Sequence, residues 1–153
     1  MRPPWRRASA REALPAAGVL LASTGRPFTD AAITEAVRLA GGGRVRVITI
    51  ARIHGSSFGL QHPGLMPNKK EKDAAQAIVA NAIKTLQRSG LKADGEVVIT
   101  RSPARCFTRA ARSAGASHVV LDTPPGGPLT RLDTVATARY LRYRLRDATL
   151  ALV

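Results

Sequence analysis

Short apolar runs separated by segments of helical periodicity leave this chain few ways to fold. GVLLAS (18–23) is a continuous apolar run, as expected of a strand covered on both faces. RVRVITIA (44–51) is rich in β-branched residues and reads as a second strand. EVVIT (96–100), HVVLD (118–122) and ATLALV (148–153) supply three more. Between the first two, FTDAAITEAVRLA places Ile33, Ala36, Val37 and Ala40 on one helical face, and Gly41–Gly43 stop it. A polar, glycine-rich loop (53–68) precedes a helix over about 68–89, with Ala74, Ala77, Ile78, Ile83 and Leu86 offered to the core and Gly90 at its end. Ser102–Pro103 predict the start of a third helix, running to Ala114 before Gly115. TPPGGP (123–128) reads as a stiff loop, and a last helix spans roughly Asp133–Arg146.

This is a (βα)₄β order, which implies an α/β fold with a parallel sheet and helices on both faces. The 153 residues suit one domain, and neither an internal repeat nor a second domain is visible. One cysteine excludes a disulfide framework and multi-thiolate metal sites. No apolar run approaches the roughly eighteen residues of a membrane-spanning helix. Residues 1–16, MRPPWRRASAREALPA, differ from the rest and read as a flexible basic arm ahead of a domain over 17–153. With the following AAGVLLA the arm superficially resembles a secretory signal. Pro15 and Gly18 interrupt that apolar stretch, and Arg6–Arg7 lack the neighbours of a twin-arginine signal, so a cytoplasmic protein is expected.

The charge is +14, from 24 Lys+Arg against 10 Asp+Glu. Such a surplus points to nucleic acid, an anionic membrane surface or another polyanion. A GC-rich genome gives the same alanine and arginine bias to any of its proteins, so composition leaves both readings open. Aromatic residues make up only 4%, which argues against a stacking platform for single strands.

From residue 17 onward the chain resembles the universal stress protein family. GVLLASTGRP stands where that family has a strand ending in Asp-Gly-Ser-Pro. SPARCFTRAARSAGASHVVLD (102–122) and RYLRYRLRDATLALV (139–153) match its last two helix-to-strand passages. The resemblance implies a Rossmann-like sheet of strand order 3-2-1-4-5, a stress-response role, and often a dimer paired through the last strand. Family members that bind ATP share an Asp at the end of the first strand and G-x₂-G-x₉-G-[ST] after the fourth, where bare N–H groups donate to phosphates. Here Thr24 takes the Asp position, and Asp122, Pro125 and Val135–Ala136 fall on the glycine motif. Pro124, Pro125 and Pro128 have no N–H to give, and Asp122 repels a phosphate. The departures predict no cofactor, and no ATP held in the family's way.

In open parallel sheets ligands bind beyond the carboxyl ends of the strands, where strand order reverses. That crevice would be lined by Ser23, Thr24, Gly25, Arg26, Ile50, Ala51, Asp122, Thr123, Gly126 and Gly127. An Arg26–Asp122 ion pair closing it is one expectation; Arg26 pointing to solvent is the other. Two arginine stripes, Arg105/Arg109/Arg112 and Arg139/Arg142/Arg146, would lie on adjacent helices in that strand order. They form either a docking plate for a polyanion or an ordinary solvated face.

Enzyme signatures are absent. Cys106 reads as a structural thiol, His54 and His62 share a loop without metal-ligand spacing, His118 opens the fourth strand, and no P-loop, zinc-protease or nucleophile-elbow motif occurs. The leading expectation is a non-enzymatic regulatory module that dimerises and binds a protein partner. Its alternatives are a nucleotide or small-molecule sensor with a rearranged crevice, and a nucleic-acid-associated protein.

Overall fold

A computed structural model describes residues 17–52, 67–123 and 128–153. It contains β1 (Val19–Ser23), α1 (Asp30–Ala40), β2 (Arg44–Arg52), α2 (Lys69–Arg88), β3 (Lys92–Thr100), α3 (Pro103–Ala114), β4 (His118–Leu121), α4 (Pro128–Arg144) and β5 (Thr149–Leu152). All five strands are parallel, in the order β3-β2-β1-β4-β5 that the resemblance implies. The arm (1–16) and most of the loop after β2, with His54 and His62, lie outside the described residues.

Strand alternation divides the interior into two cores. Val19 and Leu21 of β1, Val45 and Val47 of β2 and Val120 of β4 face α1 and α2, meeting Ala32, Ala36, Val79 and Leu86. Leu20 and Ala22, Ile48 and Ile50, and Val119 and Leu121 face α3 and α4, meeting Phe107, Ala111 and Leu141. α1 and α2 thus form one layer, and α3 and α4 pack side by side as the other.

The predicted boundaries and faces need four corrections. α2 buries Ala75, Val79, Ala82 and Leu86, while Ala74 and Ala77 are exposed. β3 starts at Lys92, four residues before the apolar run. Two contacts bring its polar start into the sheet. Asp94 accepts a 3.0 Å bond from Arg46 Nε on the paired position of β2, with Arg44 3.5 Å away. At Gly95 a Cβ would lie 2.6 Å from the Val47 carbonyl and 2.8 Å from Val79, so only glycine lets α2 pack this close. α4 begins at Pro128, using proline's fitness for a first helical position, and ends at Arg144. Ser102 precedes α3 without making a side-chain cap bond, and Pro103 alone marks the start.

Candidate functional site

The polypeptide crosses from one helical layer to the other between β1 and β4, where α1 leaves to one face and α3 and α4 occupy the other. The loop leaving β1 is fixed from below by two buried hydroxyls. Ser23 Oγ and Thr49 Oγ1 lie 2.7 Å apart, Ser23 Oγ donates to the Arg26 carbonyl at 3.1 Å, and the Gly25 N–H donates to Thr49 Oγ1 at 3.1 Å. The consistent proton assignment has Thr49 donating to Ser23. Gly25 adopts φ +84°, and a Cβ there would meet the Ile50 carbonyl at 2.7 Å. A side chain would therefore be strained in the turn and would collide with β2.

Asp122 follows β4 on the side facing α1, two residues after Val120, and is only 6% exposed. Its Oδ2 accepts the Thr29 N–H at 2.7 Å, and its Oδ1 accepts the Thr29 hydroxyl at 3.2 Å. Thr29 is itself the N-cap of α1, its Oγ1 accepting from the Ala32 N–H at 3.2 Å. A carboxylate at a helix N-terminus is favoured by the positive end of the macrodipole. The chain's own anion thus occupies the position at α1 where an external one would be drawn.

Arg26 is not the partner of Asp122. Its side chain is exposed and forms no ion pair within 4.0 Å among the described residues, while Thr29 engages both carboxylate oxygens. Of the two expectations, Arg26 pointing to solvent is the one the structure has, and Asp122 is held instead by the fixed donors of Thr29 at the N-terminus of α1. Thr123 also serves the scaffold. Its N–H and its hydroxyl both donate to the Val153 carbonyl, clipping the end of β4 to the end of β5.

The structure brings Thr24, Gly25, Ile50 and Ala51 together on one wall of a cavity of about 280 Å³, facing Glu71 and Ile78 of α2. Among the described residues no cation lines it, and its one charged side chain, Glu71, belongs to the capping box of α2, accepting the Asn68 N–H at 2.9 Å. The chemistry suits a small, weakly polar group better than a phosphate. Ser23 lies beneath this wall and Asp122 outside it; Gly126 and Gly127 lie outside the described residues.

Thr29, Thr49 and the α2 wall were not anticipated from sequence. Thr29 carried a usable signal, a hydroxyl residue directly before a helix. So did Thr49, a lone polar residue on the buried face shared by Val45 and Val47. Cys106 is half-buried beside the core under α3, and burial raises its thiol pKa above the ordinary value. That environment disfavours the thiolate a nucleophile needs. The described residues hold no group of three or more metal-ligating side chains, and no described helix is long and apolar enough to cross a membrane. Arg105, Arg109, Arg112, Arg139, Arg142 and Arg146 are all exposed, on α3, α4 and the turn after α4.

The fold is that of universal stress proteins. Three solved structures of that kind align over nearly the whole chain. A universal stress protein family member from Burkholderia pseudomallei is 19% identical with a TM-score of 0.62, covering 89% of this chain and 95% of that one. The universal stress protein from Archaeoglobus fulgidus in complex with dAMP is 14% identical with a TM-score of 0.57, covering 89% and 96%. A universal stress protein in complex with cAMP is 15% identical with a TM-score of 0.60, covering 90% and 97%. No protein-family model and no curated protein matches the sequence.

Proposed function

We propose that this chain is a non-enzymatic, stress-protein-type regulatory module that has given up the nucleotide chemistry of its crevice and acts by pairing and partner binding in the cytoplasm. The observation that carries this reading is the Asp122 carboxylate held by Thr29 at the N-terminus of α1. A triphosphate approaching that end would meet a fixed negative charge whose displacement uncovers a buried, hydrogen-bonded group. The sequence after Thr123 has few N–H donors, since Pro124, Pro125 and Pro128 carry none. Pairing through the last strand is supported by β5 standing at an edge of the sheet with Leu152 exposed.

A second reading, a small-molecule sensor, is favoured by the cavity beside Thr24 and Ile50, and two of the similar structures are complexes with adenine nucleotides. Calorimetric titration with ATP and Mg²⁺ to millimolar concentration separates the two. A flat trace is expected, and saturable heat would overturn the leading reading in favour of the sensor. Light scattering tests the pairing, with a dimer expected for the native chain and a monomer for Leu152→Lys.

A further inference from the structure

The outer surfaces of α3 and α4 carry more charge than the fold or the crevice uses. By sequence the two helices hold seven arginines, one aspartate and no lysine, whereas α1 and α2 hold four lysines, two arginines and four acidic residues. A genome bias toward arginine acts along the whole chain, so it does not account for this separation of lysine from arginine. Helix energetics accounts for Arg112, Arg142 and Arg144, which stand in last turns at the negative ends of the macrodipoles, but not for the rest. Neither α3 nor α4 has an acidic residue in its first turn, and α3 places Arg105 there, against the positive end of its macrodipole. A cluster of like charges set against local stability is the mark of a surface kept for a ligand.

The packing aligns the two rows. Arg112 donates to the Arg144 carbonyl at 2.9 Å, which sets the C-terminal ends of the parallel helices α3 and α4 level with each other. Counting back from that bond at 1.5 Å per residue puts Arg109 and Arg105 about 4.5 and 10.5 Å along α3, and Arg142 and Arg139 about 3 and 7.5 Å along α4. The rows therefore run abreast. At their foot lies an open groove of about 650 Å³ lined by Arg112, Arg144, Arg146 and Tyr143, with the Arg144 guanidinium 5.6 and 5.9 Å from the Tyr140 and Tyr143 ring centres. Both tyrosines of the chain lie on this one helix, and Tyr143 is 68% exposed.

We propose that the α3/α4 face binds nucleic acid through its phosphate backbone, with the tyrosines at the foot of the face available to stack on a base. Guanidinium forks match phosphate oxygens two at a time, which an ammonium does not, and this face is built from guanidinium alone. An anionic membrane surface is the poorer fit, because binding there needs inserted apolar side chains. Among the described residues, Val135 and Tyr143 are the large exposed apolar groups on these helices. The proposal names a partner for the module without depending on the state of the crevice, so the ATP titration and the test below can fail separately.

The test uses the full chain, with a labelled 20-base-pair DNA duplex and a single-stranded RNA of equal length, read by fluorescence anisotropy from 50 to 200 mM salt. If five phosphates are engaged, duplex affinity falls roughly 500-fold across that range. The R105Q/R109Q/R139Q/R142Q variant changes only exposed positions. Its log-log salt slope is expected to flatten by about three to four, roughly one per arginine removed. The K69Q/K70Q/K72Q/K84Q variant removes equal charge from the opposite layer and is expected to bind within about threefold of the native chain, since long-range charge is largely screened at these ionic strengths. Four results would each overturn the proposal: no binding of either nucleic acid at 50 mM salt, equal losses in the two variants, full binding by the arginine variant with loss on substituting Arg2, Arg6, Arg7 and Arg11, or tighter binding to phosphatidylserine vesicles or poly-glutamate than to either nucleic acid.

Discussion

α1 and α2 begin on side-chain caps and carry an acidic residue in their first turn, whereas α3 and α4 carry none there and Ser102 makes no cap bond. The first layer also holds an i,i+3 pair between Glu35 and Arg38, with Nε to Oε2 at 2.9 Å, and the reciprocal Asn68–Glu71 box. Polar side chains in that layer therefore serve the helices that bear them. In the second layer the helices are held by what lies beneath them, Phe107, Ala111, Ala138 and Leu141, and of their outward arginines Arg112 and Arg144 serve the C-terminal ends while no acidic residue supports the N-terminal ones. The contrast teaches that one sheet can carry a layer tuned for stability on one side and a layer tuned for its surface on the other.

That contrast can be broken or sharpened by substitution. Phe107→Ala should be the most damaging, about 3–5 kcal/mol in denaturant unfolding, because α3 has no N-terminal side-chain cap to fall back on once its largest buried side chain is gone. A loss below 1 kcal/mol would mean that the second layer is not held by its core. Gly25→Ala should cost about 2–3 kcal/mol through its left-handed φ and the contact with Ile50, read from the same unfolding curves. Caps come next. Asn68→Ala is expected to lose about 1 kcal/mol and Ser102→Ala less than half of that, and equal losses would remove the distinction between the layers. The smallest effects belong to the arginines: Arg139→Gln and Arg142→Gln should each shift stability by no more than about 0.5 kcal/mol.

Strand-and-helix order was legible because each apolar run is bounded by glycine, proline or a cap, and because the two periodicities differ. What the sequence hid was set by contacts between distant segments. The phase of α2 was ambiguous because alanines at 74, 75, 77, 80 and 82 offer several equivalent faces, and only the fit of Val79 against Gly95 selects one. Asp94 and Gly95 look like a loop until Arg46, itself only 3% exposed, is placed beside them. In the crevice, the sequence marks Asp122 as at odds with phosphate binding and offers Arg26 either as its ion-pair partner or as a side chain in solvent, with nothing to point to a third residue. The actual partner, Thr29, is neutral, and what draws the carboxylate is the directed N–H at a helix start.

The bonds between Thr29 and Asp122 join positions 93 residues apart. In kinetic terms they close late, after β1 and β4 have paired and the intervening loop entropy has been overcome. Asp122→Ala should accordingly raise the unfolding limb of a chevron plot while leaving the refolding limb nearly unchanged. Until that closure a partly folded chain presents the Thr29 N–H at the start of α1 without its carboxylate, and a phosphate-bearing solute would find a donor there. Such a solute would slow the last step of folding, because it must leave before Asp122 can take its place.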